Sequence, residues 1–295
     1  MNPPITNRFQ LDALLRYRLL DPLDDAIREY ADYLGKPVAE IRAYYGRLVE
    51  TGWAELSGTE IDAFRLLIFP LQLPHILNRL QTMLAASQRV VDPTFLDIGA
   101  GVGRDCIAFA RQGAVCTHAD VPWPGVEFAR WRYRQRNLNV RIVDALDMPA
   151  ERFTVVSCHD VFEHVEDPVD LLVKFVAHTA VDGLLCVSLD LFNPIPSHMP
   201  KNDFYATLYD PILRSLGMNL ALGNASATLD ASTACMRIYQ RVRPEEESFE
   251  SELETLKAAA YGFCASELTR LEQMLSQEAL RVRTSAASYS QKQAA

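Results

Sequence analysis

Several things are missing from this sequence. It has no Cys-x-x-Cys pair, no apolar run long enough to cross a bilayer, no basic-then-apolar start and no internal repeat. The first absence argues against a zinc ribbon or a redox motif. The six cysteines (Cys106, Cys116, Cys158, Cys186, Cys235 and Cys264) sit scattered, mostly in apolar segments, and read as small buried hydrophobes. The second and third absences argue against a membrane anchor and a secretory leader, so the chain is expected to be cytoplasmic. Basic residues are also in deficit. With 29 Lys and Arg against 38 Asp and Glu, the net charge of -9 disfavours nucleic acid and anionic membranes, which select for a basic face. A neutral or cationic small molecule suits this balance better.

What is present describes a folded protein, 49% hydrophobic and 23% charged over 295 residues. From Arg8 to about Ser87 the apolar spacing is helical, as in Leu11, Leu14, Leu15 and Leu19. Pro22, Gly35-Lys36-Pro37, Ser57-Gly58, Pro70 and Pro74 divide this stretch into short helices. The expected organisation is a helical N-terminal cap or lid over residues 1–90, an α/β core over 91–243 and an acidic helical appendage over 244–295. The appendage follows Glu245, Glu246 and Glu247. It should break at Gly262, place Leu268, Leu271, Leu275 and Leu280 near one face that packs on the core or on a second subunit, and fray after Ser285. A homodimer is therefore possible.

After Pro93 short apolar runs alternate with helical stretches, the signature of a parallel sheet covered on both faces. Strands are expected at Thr94 to Ile98, Ala114 to Ala119, Val140 to Val143, Val155 to His159 and Leu184 to Leu189. Helices fall near Asp105 to Gln112, Gly125 to Arg136, Val169 to His178 and Asp203 to Leu216. Met218 to Ala225 and Thr233 to Val242 read as a late antiparallel hairpin, completing a Rossmann-like, doubly wound, mainly parallel seven-stranded sheet.

The first strand ends in Asp97 and enters the loop Ile98-Gly99-Ala100-Gly101-Val102-Gly103. Glycines belong where backbone approaches a ligand or takes positive φ. An acid directly before such a loop is awkward for a pyrophosphate and welcome for an ammonium group, which favours an amino-acid-bearing cofactor. A second acid, Asp120, ends the second strand about 20 residues on, where a carboxylate can take both ribose hydroxyls. A third, Asp144, follows the third strand and can accept from an adenine amine.

Phe95 to Leu189 resembles the class I S-adenosylmethionine-dependent methyltransferases, whose acid before Gly-x-Gly-x-Gly matches Asp97, Gly99, Gly101 and Gly103. The resemblance implies S-adenosylmethionine as cofactor. It places the loop under the methionine moiety, Asp120 on the ribose, Val121 on the adenine face, and Asp144 with Ala145 at the adenine edge. The segment from His159 and Asp160 to Pro168 resembles the family's turn after the fourth strand, which borders the methionine group and the transferred carbon. That makes His159 a cofactor residue and puts Asp160 and His164 beside the chemistry, His164 as a candidate general base. The alternative for His164 is a structural hydrogen bond. After the fifth strand, Asn193, His198 and Tyr205 are candidates for the acceptor side.

Three features have plainer readings. His159, Glu163 and His164 are spaced as in neither protease zinc motif, with no third ligand cluster in view, so no metal is expected. Arg130 to Arg136 interleaves cations and aromatics, which suits a solvated helix face better than an RNA patch. Tyr30, Tyr33, Tyr44, Tyr45 and Trp53 should mostly pack, with one or two cradling a sulfonium by cation-π attraction.

The function expected is methyl transfer from S-adenosylmethionine to a small-molecule acceptor, such as a specialised metabolite. One alternative is cyclisation of the cofactor itself to azetidine-2-carboxylate with release of methylthioadenosine. Another is a non-catalytic binder or scaffold.

Overall fold

The computed structural model describes residues 23–51, 93–189, 198–222, 237–246 and 248–293. Two N-terminal helices, α1 (Leu23–Leu34) and α2 (Val38–Thr51), precede the sheet. Strands β1 (Thr94–Ile98), β2 (Val115–Asp120), β3 (Val140–Asp144), β4 (Phe153–His159) and β5 (Thr179–Ser188) then run parallel to one another. The crossovers are α3 (Arg104–Arg111), α4 (Pro124–Gln135) and α5 (Pro168–His178). After α6 (Tyr209–Ser215), strands β6 (Met218–Leu222) and β7 (Arg237–Arg241) follow, with β7 antiparallel to both neighbours. The chain closes on α7 (Phe249–Gln293).

The sheet order is β3-β2-β1-β4-β5-β7-β6, the seven-stranded arrangement that the alternation of elements implies. β1 and β4 lie centrally and are buried on both faces, hence their nearly continuous apolar sequences, whereas β3 at the edge is half-exposed. Connections lead from β1 toward β2 and β3 on one side and return to β4 and β5 on the other. The carboxyl ends of β1 and β4 therefore part, and a crevice opens between them. Packing is tight beneath: Phe95 of β1 and Phe109 of α3 stack with centroids 3.8 Å apart.

Several boundaries differ from expectation. β5 begins at Thr179 because α5 runs straight into it, Thr179 Oγ1 donating to Phe175 O at 2.6 Å, and a positive φ at Asp182 absorbs the irregularity. The single helix expected from Asp203 to Leu216 is a 3-10 segment, Pro200–Thr207, followed by α6. Gly262 breaks nothing, and α7 continues through it to Gln293, past the expected fraying point at Ser285. One glycine costs a helix only about 1 kcal/mol. Leu268 is 47% exposed, so the distal half of α7 does not bury it on the core. The proximal half is anchored by Glu252, fully buried and paired with Arg241. That guanidinium also donates to Val176 O at 2.8 Å and Thr179 O at 2.7 Å, which joins α7 to the junction of α5 and β5.

The solvated-face reading of Arg130 to Arg136 fails at Arg132 and Tyr133, which are buried. Tyr133 faces the sheet, its hydroxyl 2.8 Å from His118 Nδ1, and Arg132 is covered by α1, which lies on α4. Glu29 pairs with Arg132 at 3.1 Å and with Arg136, while Tyr30 and Tyr33 pack on Phe128 and Trp131. Tyr44 spends its hydroxyl on Glu40 at 2.7 Å. These three tyrosines take the packing role. The side chain of Tyr45, Trp53, Asn193, Cys235 and the breaks at Pro22, Ser57-Gly58, Pro70 and Pro74 lie outside the described residues. Among the described residues, no helix is long and apolar enough to cross a membrane.

Candidate active site

The three glycines of the first loop all take positive φ, each for a different reason. A Cβ on Gly99 would fall 2.2 Å from Val161 Cγ2, and one on Gly103 would fall 2.0 Å from the Tyr133 hydroxyl. Both positions are closed by packing. At Gly101 a Cβ meets nothing within 4 Å, so its backbone faces open crevice, the kind of space a ligand can fill. Gly101 N–H donates to Asp120 Oδ2 at 2.6 Å, and Val121 N–H donates to Oδ1 at 2.8 Å. Asp120 is thus aimed by backbone donors at the end of β2. Burial lifts its carboxyl above the ordinary range, opposed by Gly101 N–H, the Trp123 side chain and Val121 N–H.

Two recesses flank this rim. One is lined by Asp120, Trp123, Val126, Ile142, Val143 and Asp144, with acids at one lip and apolar walls behind. This suits a nucleoside: hydroxyls for Asp120, an exocyclic amine for Asp144, apolar wall for the base. Val121, 45% exposed, stands at its edge. Ala145 N–H donates to Asp120 O at 3.0 Å and Leu146 N–H to Asp144 Oδ1 at 2.9 Å, locking the two acid-bearing strand ends together.

The other recess is lined by Asp97, Gly99, Gly101, Arg104, Asp105 and His159, among others. Acids beside an arginine match a zwitterion, with an ammonium for Asp97 and a carboxylate for Arg104. Asp97 is only 4% exposed and accepts from Ser157 Oγ at 2.6 Å across the β1–β4 register. His159 Nδ1 is 3.0 Å from Ser188 Oγ, while that hydroxyl donates to Asp160 Oδ1 at 2.9 Å. A hydroxyl has one proton, so Ser188 accepts from His159 Nδ1–H. The other ring nitrogen, Nε2, stands 3.8 Å from Asp105 Oδ2. The residues present therefore fit an amino-acid-bearing nucleoside along its length.

Beyond β4 the chain turns sharply. Asp160 takes a positive φ, and a 3-10 turn, Phe162–His164, follows. Asp160 is spent on Ser188, and Tyr205 packs edge-on against Phe162, which leaves His164 as the exposed member of this group. His198 lies against it, ring centroids 4.6 Å apart at 77°. The structure thus brings together His164 and His198 and sets His159 apart in the recess. Asp105, Arg104, Ser157 and Ser188 were not singled out from the sequence. Ser157 had a faint signal, as a hydroxyl set among Val155, Val156 and Cys158.

Part of the chain is similar to known proteins. Residues 70–214 match the family described as a methyltransferase domain. The chain is 31% identical over 140 residues to a ubiquinone biosynthesis O-methyltransferase of Serratia proteamaculans, covering 46% of this chain and 54% of that protein. The corresponding protein of Actinobacillus pleuropneumoniae is 30% identical over 125 residues, covering 39% and 53%. The chain thus spans about half the length of these curated relatives. A solved methyltransferase from Streptomyces caelestis shares 15% identity over 56% of this chain and 90% of its own, with a TM-score of 0.45, too distant to bear on the argument. Residues 70–214 are thus a methyltransferase domain whose acids and glycine loop resemble those of the class I S-adenosylmethionine-dependent methyltransferases, and S-adenosylmethionine is the cofactor of that domain.

Proposed function

We propose that this protein methylates a nucleophilic oxygen on a small molecule, in the biosynthesis of a specialised metabolite. The observation that carries this reading is the His164–His198 pair beyond the end of β4, whose last residue, His159, lines the zwitterion recess. The O-methyltransferase names of the relatives support the choice of oxygen. When bound, S-adenosylmethionine supplies a methyl carbon made electrophilic by its sulfonium. The protein's part is to position and to deprotonate. Asp97 and Arg104 hold the amino-acid end, Asp120 holds the ribose, and the wall behind Asp144 takes the base. His164 or His198 accepts the proton of the incoming hydroxyl. The acidic balance of the chain disfavours a nucleic-acid acceptor.

The test is incubation with S-adenosylmethionine and a panel of phenols and catechols, with products identified by mass spectrometry. S-adenosylhomocysteine and a methylated acceptor are expected, and His164→Ala should lower kcat by about 10²-fold or more. Methylthioadenosine formed from cofactor alone would overturn methyl transfer in favour of cyclisation. Cofactor bound but never consumed would leave a binding protein.

A further inference from the structure

Glu163, His164 and His198 converge. A carboxylate oxygen of Glu163 and one ring nitrogen from each histidine all lie within 4.8 Å of one another. They come from two separate segments, the turn after β4 and the stretch entering the 3-10 segment Pro200–Thr207, and those segments are bolted together. Met199 N–H donates to Glu163 O at 2.8 Å, and the buried Asn202 amide donates to both Phe162 O and Val165 O at 2.9 Å. The rings therefore meet because the backbone beneath them is held, which is the preorganisation a metal site needs. Glu163 is 1% exposed, so its charge acts with little solvent screening, while His164 stands exposed and offers an entry path.

We propose that Glu163, His164 and His198 bind a divalent transition-metal ion. Two imidazoles and one carboxylate form a ligand set that zinc, cobalt and nickel accept, with a remaining position open to water or an acceptor oxygen. The bonds from Met199 and Asn202 fix the segments that carry the ligands, as outer-shell groups do around metal ligands generally. The sequence pointed away from a metal because His159, Glu163 and His164 have the spacing of neither protease motif and no further ligand cluster was in view. The structure turns His159 toward Ser188 and supplies His198 in its place. An ion here would act as a Lewis acid on an oxygen bound at the open position, lowering its pKa, and His164 and His198 would then serve as its ligands in place of taking the proton themselves. The site goes beyond the transferase reading and does not depend on it, since metal binding is measured without cofactor or acceptor.

The experiment is titration of tag-free, chelator-treated full-length protein with cobalt(II) chloride, read by visible absorption and by calorimetry, and repeated with zinc chloride. Saturable one-to-one binding is expected, with a d–d band for cobalt displaced by zinc. His164→Ala and His198→Ala should each weaken binding at least ~10-fold while circular dichroism stays unchanged. Glu163→Gln, which keeps the shape of the buried side chain, should do the same. No saturable binding by the wild-type protein would overturn the site. So would full binding by both histidine variants, which would place the metal elsewhere. Intact binding in a protein that never transfers methyl would sink the transferase reading and leave the metal site standing.

Discussion

The side of the crevice around Asp97, Asp120 and Asp144 and the side proposed for the acceptor are built differently. On the cofactor side the functional groups sit at strand ends and in the loop directly after β1, and backbone donors aim them: Gly101 and Val121 hold Asp120, and Leu146 holds Asp144. On the proposed acceptor side the exposed His164 and the half-buried His198 come from segments far apart in sequence, joined by an asparagine that bridges the turn after β4. A ligand common to a whole family can be served by short-range geometry. A partner that differs between members is served by side chains on connecting segments, which change without disturbing the sheet.

Gly101→Val gives the largest expected effect and would break the contrast if it failed. The position takes φ +57 and its Cβ would point into open crevice. A branched side chain should cut S-adenosylmethionine affinity by at least ~100-fold, about 2.7 kcal/mol. Stability should fall only by the ~1–2 kcal/mol that a left-handed residue costs. Calorimetry and thermal unfolding on the same protein separate the two, and normal cofactor affinity would show that this loop is not the cofactor loop.

Acid should strike the cofactor side next. Burial pushes the imidazole of His118, on β2, down to about 4, and its Nδ1 meets at 2.8 Å the Tyr133 hydroxyl that underlies Gly103. The folded-state value lies below the unfolded value of about 6.5, so the unfolded chain binds more protons between them. Stability from this group is full above about pH 6.5 and is lost as pH falls toward 4, on the order of 3 kcal/mol in all. Denaturant unfolding across that window should show the decline, and His118→Gln should flatten it. An equal slope in the variant would place the acid sensitivity elsewhere.

Asn202→Ala sharpens the contrast from the other side with the smallest change. It removes two buried donors from Phe162 O and Val165 O, at an expected cost of about 2 kcal/mol. Cofactor affinity should stay within roughly twofold, since the Asn202 amide bonds to Phe162 O and Val165 O and not to the groups around Asp120. Turnover should drop as His164 and His198 lose their common footing. A matching loss of cofactor affinity would mean that the two sides are one unit.

Much of the cofactor side was legible in the sequence because each acid sits one step from a strand end. Asp97, Asp120 and Asp144 needed only a short apolar run before them to be placed. The glycines were legible as a pattern and not as reasons. Gly99 and Gly103 are required by Val161 and Tyr133, which come from other elements. Arg132 was misjudged because its charge looks solvent-directed until α1 covers it with Glu29. Asn202 carried no signal, since an asparagine in a polar stretch is unremarkable until two carbonyls face it.

By itself the sequence determined the alternation of strands and helices and the acids at the ends of the first three strands. These follow from local periodicity and from chain ends that parallel strands must share. Only the tertiary structure decided which histidine stands in the recess and which stand at the mouth. It also decided that α7 runs unbroken, and that Glu163 and His198 meet. Those outcomes depend on hydrogen bonds and packing between residues far apart in the chain, where burial sets the energy and no local pattern records the partner.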